Sequence, residues 1–214
     1  MVRHVLFILI VIVSLSTVSL ADWMRFRGPN GSGVSQDTVP TEWSPTQSLN
    51  WKTPLPGPGS SSPIVVGDRV FVTCYSGYGV SQRDPGDQEN LRRHLVCISA
   101  TDGSVRWSKE FTPYLPEDPF TGIGIPQHGY ASHTPVSDGE RVYAFFGKSG
   151  VYAFDLEGNQ LWQKSVGTES GARGWGSSSS PLLHKNHLIV PATAESEALV
   201  ALDKRTGEEV WRQE

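Results

Sequence analysis

Cysteine is nearly absent: Cys74 and Cys97 are the only two in 214 residues. A multi-disulfide scaffold is thereby excluded, and the fold must rest on a hydrophobic core. Positive charge is not in excess either. Eighteen Lys and Arg stand against 22 Asp and Glu, a formal net charge of −4. The basic footprint of a nucleic-acid binder is missing, so no nucleic-acid partner is expected. The unbroken apolar run Val5–Val13 is too short to span a bilayer, which takes about 20 residues. No G-x-S-x-G, H-E-x-x-H, P-loop or C-x-x-C occurs, which removes the chemistries those motifs mark.

Turn formers and aromatics are abundant instead, with 22 Gly, 15 Pro and 7 Trp. Many turns and many aromatics point to an all-β chain. The first 21 residues stand apart. Arg3 and His4 precede the apolar run, and Ser19-Leu20-Ala21 ends it with small residues. This pattern predicts a signal peptide over 1–21, cleaved after Ala21, with an uncleaved anchor as the alternative. No cysteine lies near that point, so no lipid-attachment box is present. A periplasmic or secreted protein is expected.

Internal repetition is the strongest signal. Trp51, Trp107, Trp162 and Trp211 recur at spacings of 56, 55 and 49 residues, each followed closely by Lys, Gln or Arg. Gly103, Gly158 and Gly207 each lie four residues before one of the last three. Short apolar stretches precede those glycines, at Leu95–Ile98, Val151–Phe154 and Leu199–Leu202. The other half repeats too: Ser62-Pro63, Thr134-Pro135 and Ser180-Pro181 each lead to a short turn and a second apolar stretch. Each unit therefore predicts a four-stranded antiparallel meander, the size of a propeller blade. Stretches such as Val142–Phe146 are apolar on both faces, as sheets stacked face to face require. The expected fold is an all-β, partial β-propeller of three four-stranded blades, about 58–111, 130–167 and 176–214. Residues 22–57 form an N-terminal extension whose Trp51 segment supplies one closing strand. The outer flanks of the arc are expected to carry Val70, Val72, Ile189 and Val190.

The run Leu199-Val-Ala-Leu-Asp-Lys-Arg-Thr-Gly-Glu-Glu-Val-Trp211 resembles the pyrroloquinoline-quinone-type (PQQ-type) repeat. Trp23-x-x-Phe26-Arg27-Gly28-Pro29-Asn30-Gly31-x-Gly33 is similar to the opening of exported bacterial propellers with that repeat. That family includes quinoprotein alcohol dehydrogenases and the lipoprotein subunit of the outer-membrane β-barrel assembly machinery. Its rings have seven or eight blades. The resemblance thus implies missing C-terminal blades, or another chain, to close the ring.

In such a fold every long connection here (75–94, 112–132 and 168–176) falls on one face, where a protein or small-molecule ligand is expected. His128, His133, Arg173 and Trp175 lie just before innermost strands and are candidate ligand residues at the channel rim. The competing reading makes the histidines packing residues that satisfy backbone groups. Asp84, Asp87 and Glu89 are candidate oxygen ligands for a hard cation, against a solvated, self-paired loop. Cys74 and Cys97 are either a disulfide on neighbouring strands or two buried small hydrophobes.

Two functions remain. One is a non-enzymatic binding or scaffolding module at the cell envelope, with no cofactor. The other is part of a quinone-dependent dehydrogenase carrying PQQ with calcium, in which the resemblance implies a Trp and a vicinal disulfide around the quinone and an Asp base. This sequence has no adjacent cysteine pair, which favours the binding module.

Overall fold

The computed structural model describes residues 22–214, so the predicted signal peptide lies outside the described residues. Among the described residues twelve strands form three antiparallel sheets, each a simple meander. The first holds β1 (Ile64–Val66), β2 (Arg69–Ser76), β3 (Arg92–Ser99) and β4 (Val105–Phe111). The second holds β5 (Val136–Ser137), β6 (Arg141–Phe145), β7 (Val151–Asp155) and β8 (Gln160–Lys164). The third holds β9 (Leu182–His184), β10 (His187–Ala192), β11 (Ala198–Asp203) and β12 (Glu209–Gln213). Helix is confined to α1 (Ile125–His128) and two short 3-10 turns among the described residues.

The sheets stack face to face as blades. Phe71, Leu95 and Cys97 of the first blade interdigitate with Val142, Phe146 and Phe154 of the second. Tyr143, Phe145 and Val151 of the second meet Leu188, Val190 and Val200 of the third. Apolar residues on both faces of β6 thus serve two different joints, as the non-alternating sequence requires.

The repeated Trp and Gly are the two halves of one joint. A register shift falls at the same place in each blade, between Cys97 and Ile98, Ala153 and Phe154, and Ala201 and Leu202. The bulge lies beside the residue opposite Trp107, Trp162 or Trp211, where it re-aims that side chain. Trp107 Nε1 donates to Leu156 O (3.0 Å) and its indole lies on Gly158, where a Cβ would stand 2.9 Å from the ring. Trp162 repeats this with Lys204 O (3.1 Å) and Gly207. Both glycines also have positive φ, +89° and +75°, so a side chain there is excluded twice. Ion pairs close the same edges, Arg69 to Glu157 at 3.1 Å and Lys204 to Asp138 at 3.1 Å.

The expected closing strand is not a strand. Trp51 nevertheless docks on the first blade as the other tryptophans do, with Nε1 donating to Ala100 O (2.9 Å) and the indole on Gly103. It half-covers Val70 and Val72 together with Cys74, Val96 and Ile98. Val190, expected on the outer flank, is fully buried against the second blade. Strand alternation leaves Ile189 facing outward instead.

A second joint runs along the inner edge, built by the residue before each strand-leading proline. Ser62 N donates to Thr134 Oγ1 (3.0 Å), and Thr134 N donates to Ser180 Oγ (2.9 Å). These hydroxyls form a belt from blade to blade. The N-terminal segment lies against the same edge. Trp23 pairs with Val65 through two backbone bonds of 2.9 and 3.0 Å, and Ser137 N donates to Met24 O (2.9 Å). The opening motif thereby straps the first two blades together.

Candidate functional site

Meander topology puts the long connections on one end of the sheets, and two buried cations tie them into a layer. Arg93, at the start of β3, donates from Nε to Tyr130 O (2.9 Å) and pairs with Glu117 at 2.7 Å. Both side chains of that pair are only 4% exposed. Lys148, in the turn after β6, donates to Pro116 O (2.9 Å) and Ser170 Oγ (2.7 Å), with Asp118 3.8 Å away. Gln88 brackets Glu117, its amide donating to Glu117 O and accepting from Glu117 N. Beneath lie Tyr75, Tyr78, Phe120 and Tyr130. Tyr78 accepts from Phe120 N (3.0 Å) and Tyr130 donates to Asp118 O (2.7 Å). Three connections are therefore one rigid layer.

Three of the four rim residues come together on it. His128 ends α1, with Nδ1 2.7 Å from Ser132 Oγ and Nε2 2.9 Å from Trp175 O. The Arg173 guanidinium sits 5.0 Å over the Trp175 ring, a cation–π contact. That ring also lies against Gly124, whose φ of +109° and lack of a side chain allow the approach. Trp175 keeps 38% of its surface exposed. It is an aromatic platform flanked by a cation.

His133 sits a layer below, 5% exposed and packed on the Phe145 ring. Its Nε2 is 3.0 Å from Ser177 Oγ, which donates to Glu195 Oε1 at 2.5 Å. With Ser177 donating to Glu195, the remaining lone pair of its hydroxyl is free to accept from His133 Nε2. His133 Nδ1 and Glu195 Oε2 have no partner among the described residues. Burial, helped by nearby Arg93, pushes His133 down to about 3. Burial, helped by nearby Asp118, raises the Glu195 carboxyl above its ordinary value.

The histidine gives a pH prediction. Its folded value lies below the unfolded 6.5, so the stability it contributes is complete above 6.5 and is lost as pH falls toward 3. Chemical denaturation between those limits should show stability declining with acidity by up to about 1.4 kcal/mol per pH unit. His133→Gln should flatten that slope; an unchanged slope would show that His133 is not held neutral.

Inward of this layer an open cavity of about 540 Å³ is lined by Arg25, Phe26, Ser60, Ser132, Thr134 and Ser178, with His128 at its edge. Arg25 makes no ion pair or side-chain hydrogen bond among the described residues. It packs instead on Gly31, where a Cβ would stand 3.1 Å from its guanidinium. Sequence reasoning missed Arg25, Phe26, Lys148 and Glu195. The opening motif was visible, but its place on the inner edge depends on the Trp23–Val65 pairing, 42 residues apart in numbering.

The acidic loop borders this layer, where Gln88, between Asp87 and Glu89, is tied to Glu117. Asp84 Oδ1 accepts from Gly86 N (3.2 Å), and Asp87 precedes the 3-10 turn Gln88–Asn90, which contains Glu89. Among the described residues no three His, Cys, Asp or Glu side chains are grouped to hold a metal ion. Cys74 and Cys97 are free and buried. Cys97 pairs in register with Phe71 and Cys74 with His94. The odd offset along β2 turns them to opposite faces, one in each of two separate clusters. The disulfide considered from sequence does not form, and both act as small hydrophobes.

A family model described as "Outer membrane protein assembly factor BamB", of the PQQ-type repeat, matches residues 88–214, more than half of the chain. The polyvinylalcohol dehydrogenase of a Pseudomonas species is 24% identical, over 78% of this chain and 25% of that protein. Among solved structures, a quinohemoprotein alcohol dehydrogenase from Pseudomonas putida HK5 superimposes with a TM-score of 0.55 and 16% identity. It covers 90% of this chain and 26% of that one. Its counterpart from Comamonas testosteroni gives 0.50 and 16%, over 73% and 21%. The chain thus spans about a quarter of the length of these relatives, and the structural likeness shows the propeller fold.

Proposed function

The chain belongs to the PQQ-type repeat propeller family, and from that premise we propose that it is an exported binding module at the cell envelope. Its ligand face is the cross-tied loop layer with the inner cavity behind it. The observation that carries this reading is the convergence of Trp175, Arg173 and His128 on a loop layer locked by two buried cations. Rigid loops carrying an exposed aromatic and a cation suit capture of a ligand with little ordering cost. The cavity adds Arg25 and a wall of hydroxyls, donors suited to an anionic or hydroxylated group.

The polyvinylalcohol dehydrogenase relative favours a second reading, part of a quinone-dependent dehydrogenase. Among the described residues the nearby carboxylates are already partly engaged and no adjacent cysteine pair is present. Asp118 faces Lys148, Glu195 Oε1 is taken by Ser177, and the two cysteines lie on opposite faces of a sheet. Those facts support the binding module.

A photoreactive residue placed at Ile123, exposed beside Gly124 and Trp175, tests the reading in the producing cells. The same probe at Glu157, in a short turn on the opposite end, is the control. Cross-linked species from position 123, reduced by Trp175→Ala and not seen from 157, are expected. Equal labelling at both sites contradicts the assignment. Stoichiometric uptake of PQQ with calcium in an absorbance titration would favour the dehydrogenase.

A further inference from the structure

Of the five asparagines in the sequence, Asn30 alone is followed by glycine. Asn50, Asn90, Asn159 and Asn186 precede Trp51, Leu91, Gln160 and His187, whose side chains screen the amide that follows. Leu91 N is also held by Gln88 O (3.0 Å), and Gln160 and His187 stand in the β8 and β10 ladders. Asn30 is exposed in the opening motif. Its Oδ1 accepts from Ser32 N (3.0 Å) and from Ser32 Oγ (2.6 Å). Val34 N in turn donates to Ser32 Oγ (3.2 Å), which keeps that hydroxyl turned toward the amide. Two donors thus polarise the side-chain carbonyl and stabilise the negative charge that gathers on Oδ1 when a nucleophile adds to Cγ. The nucleophile is the next atom group along the chain. Gly31 N is bonded to Gly28 O at 3.1 Å, near the long end of the hydrogen-bond range, and no side chain on Gly31 screens it. The Arg25 guanidinium rests on the same Gly31 and lines the inner cavity.

We infer that Asn30 is a self-modification site, at which the chain converts its own side-chain amide to a carboxylate beside Arg25. Gly31 N gives up its proton to a solvent base and bonds to Asn30 Cγ. The Cγ–Nδ2 bond breaks, and the nitrogen takes a proton from solvent and leaves as ammonia. Water then opens the cyclic imide at either carbonyl. One opening gives aspartate. The other gives isoaspartate, in which the backbone runs through the side-chain carbon. Nothing is oxidised or reduced, and water is the only co-reactant. Holding nucleophile and carbonyl on adjacent residues supplies the proximity, and Ser32 supplies the donors. Either product adds one negative charge to the −4 of the sequence. That charge appears next to the glycine on which Arg25 rests, and Arg25 has no other ion pair among the described residues. Arg25 gains a counter-ion and no longer offers the cavity an unpaired cation. This last consequence rests on the reading of the cavity as part of the ligand face; the chemistry at Asn30 does not.

The test incubates the whole protein at mildly alkaline pH and maps its peptides by mass spectrometry over time. Position 30 should show the mass rise of an amide becoming an acid about tenfold or more faster than any other asparagine, because only there is the attacking amide unscreened. The product should separate into aspartate and isoaspartate forms, the second accepting a methyl group from an isoaspartyl methyltransferase. Ser32→Ala should slow the change about threefold or more, since it removes one donor from Oδ1. Asn30 changing no faster than exposed Asn159 or Asn186 overturns the inference, and so does an undiminished rate in Ser32→Ala. Asn30→Asp supplies the aspartate product directly. In that variant the labelling of Arg25 by phenylglyoxal, read from the same peptide map, should fall several-fold against the unaltered protein. Equal labelling overturns the pairing with Arg25. Neither readout uses the cross-link from Ile123, so a failed ligand face and a failed Asn30 site are distinguishable.

Discussion

Replacing Arg93 with Met should lower the unfolding free energy by about 3–5 kcal/mol, the cost of leaving a buried charge without its partner. The partner is Glu117, 2.7 Å away and as fully buried as the arginine. Met keeps the length of the side chain, so lost packing contributes little. The effect should reach beyond stability. Arg93 also holds Tyr130 O and Ser149 Oγ, so the 112–132 connection should become cleavable by protease while the blades persist. The double variant Arg93→Met, Glu117→Leu should recover most of the loss, because no charge is then stranded. Urea denaturation of the unaltered protein and of these two variants measures this. A single-variant loss below about 1 kcal/mol would put the pair in the class of solvent-screened surface bridges.

Gly158→Val should cost about 2–5 kcal/mol, the sum of a β-branched residue forced to positive φ and overpacking against an indole. Gly67→Val is the matched control. Gly67 has φ +55° in a hairpin turn and nothing within 4 Å of a built Cβ, so it carries the backbone strain alone. The difference between the two variants isolates the blade joint. Equal losses would mean that Trp107 yields without cost.

The strands were legible because both faces of each blade are apolar and the turns between them are marked by Gly, Asp and Ser-Pro steps. Repetition made Trp and Gly readable as a pair before their contact was known. Trp51 shows where that logic overreaches. It has the repeat tryptophan and the docking contacts but not the ladder partners, so it docks without becoming a strand. Charge was harder to read. Glu195 sits in Ala-Glu-Ser-Glu and Lys148 in Gly-Lys-Ser, both of which look like solvated turns. Each is buried because a loop from another blade folds over it. Cys74 and Cys97 fell on neighbouring strands as expected, but which face each one takes depends on a register set only by pairing. Of the rim residues, His128, Arg173 and Trp175 met because their connections precede innermost strands. His133, five residues after His128, dropped into the layer below.

Each repeat is a blade, and Trp107 and Trp162 each lie on the glycine turn of the blade that follows. A double-mutant cycle between Trp107 and Gly158, followed by chemical denaturation, tests it most directly. Trp107→Ala alone should cost about 3–5 kcal/mol, as for a large aromatic removed from a packed site. In that background Gly158→Val no longer meets the indole and should cost only what Gly67→Val costs, a coupling of about 1–3 kcal/mol. Losses that simply add would contradict the joint.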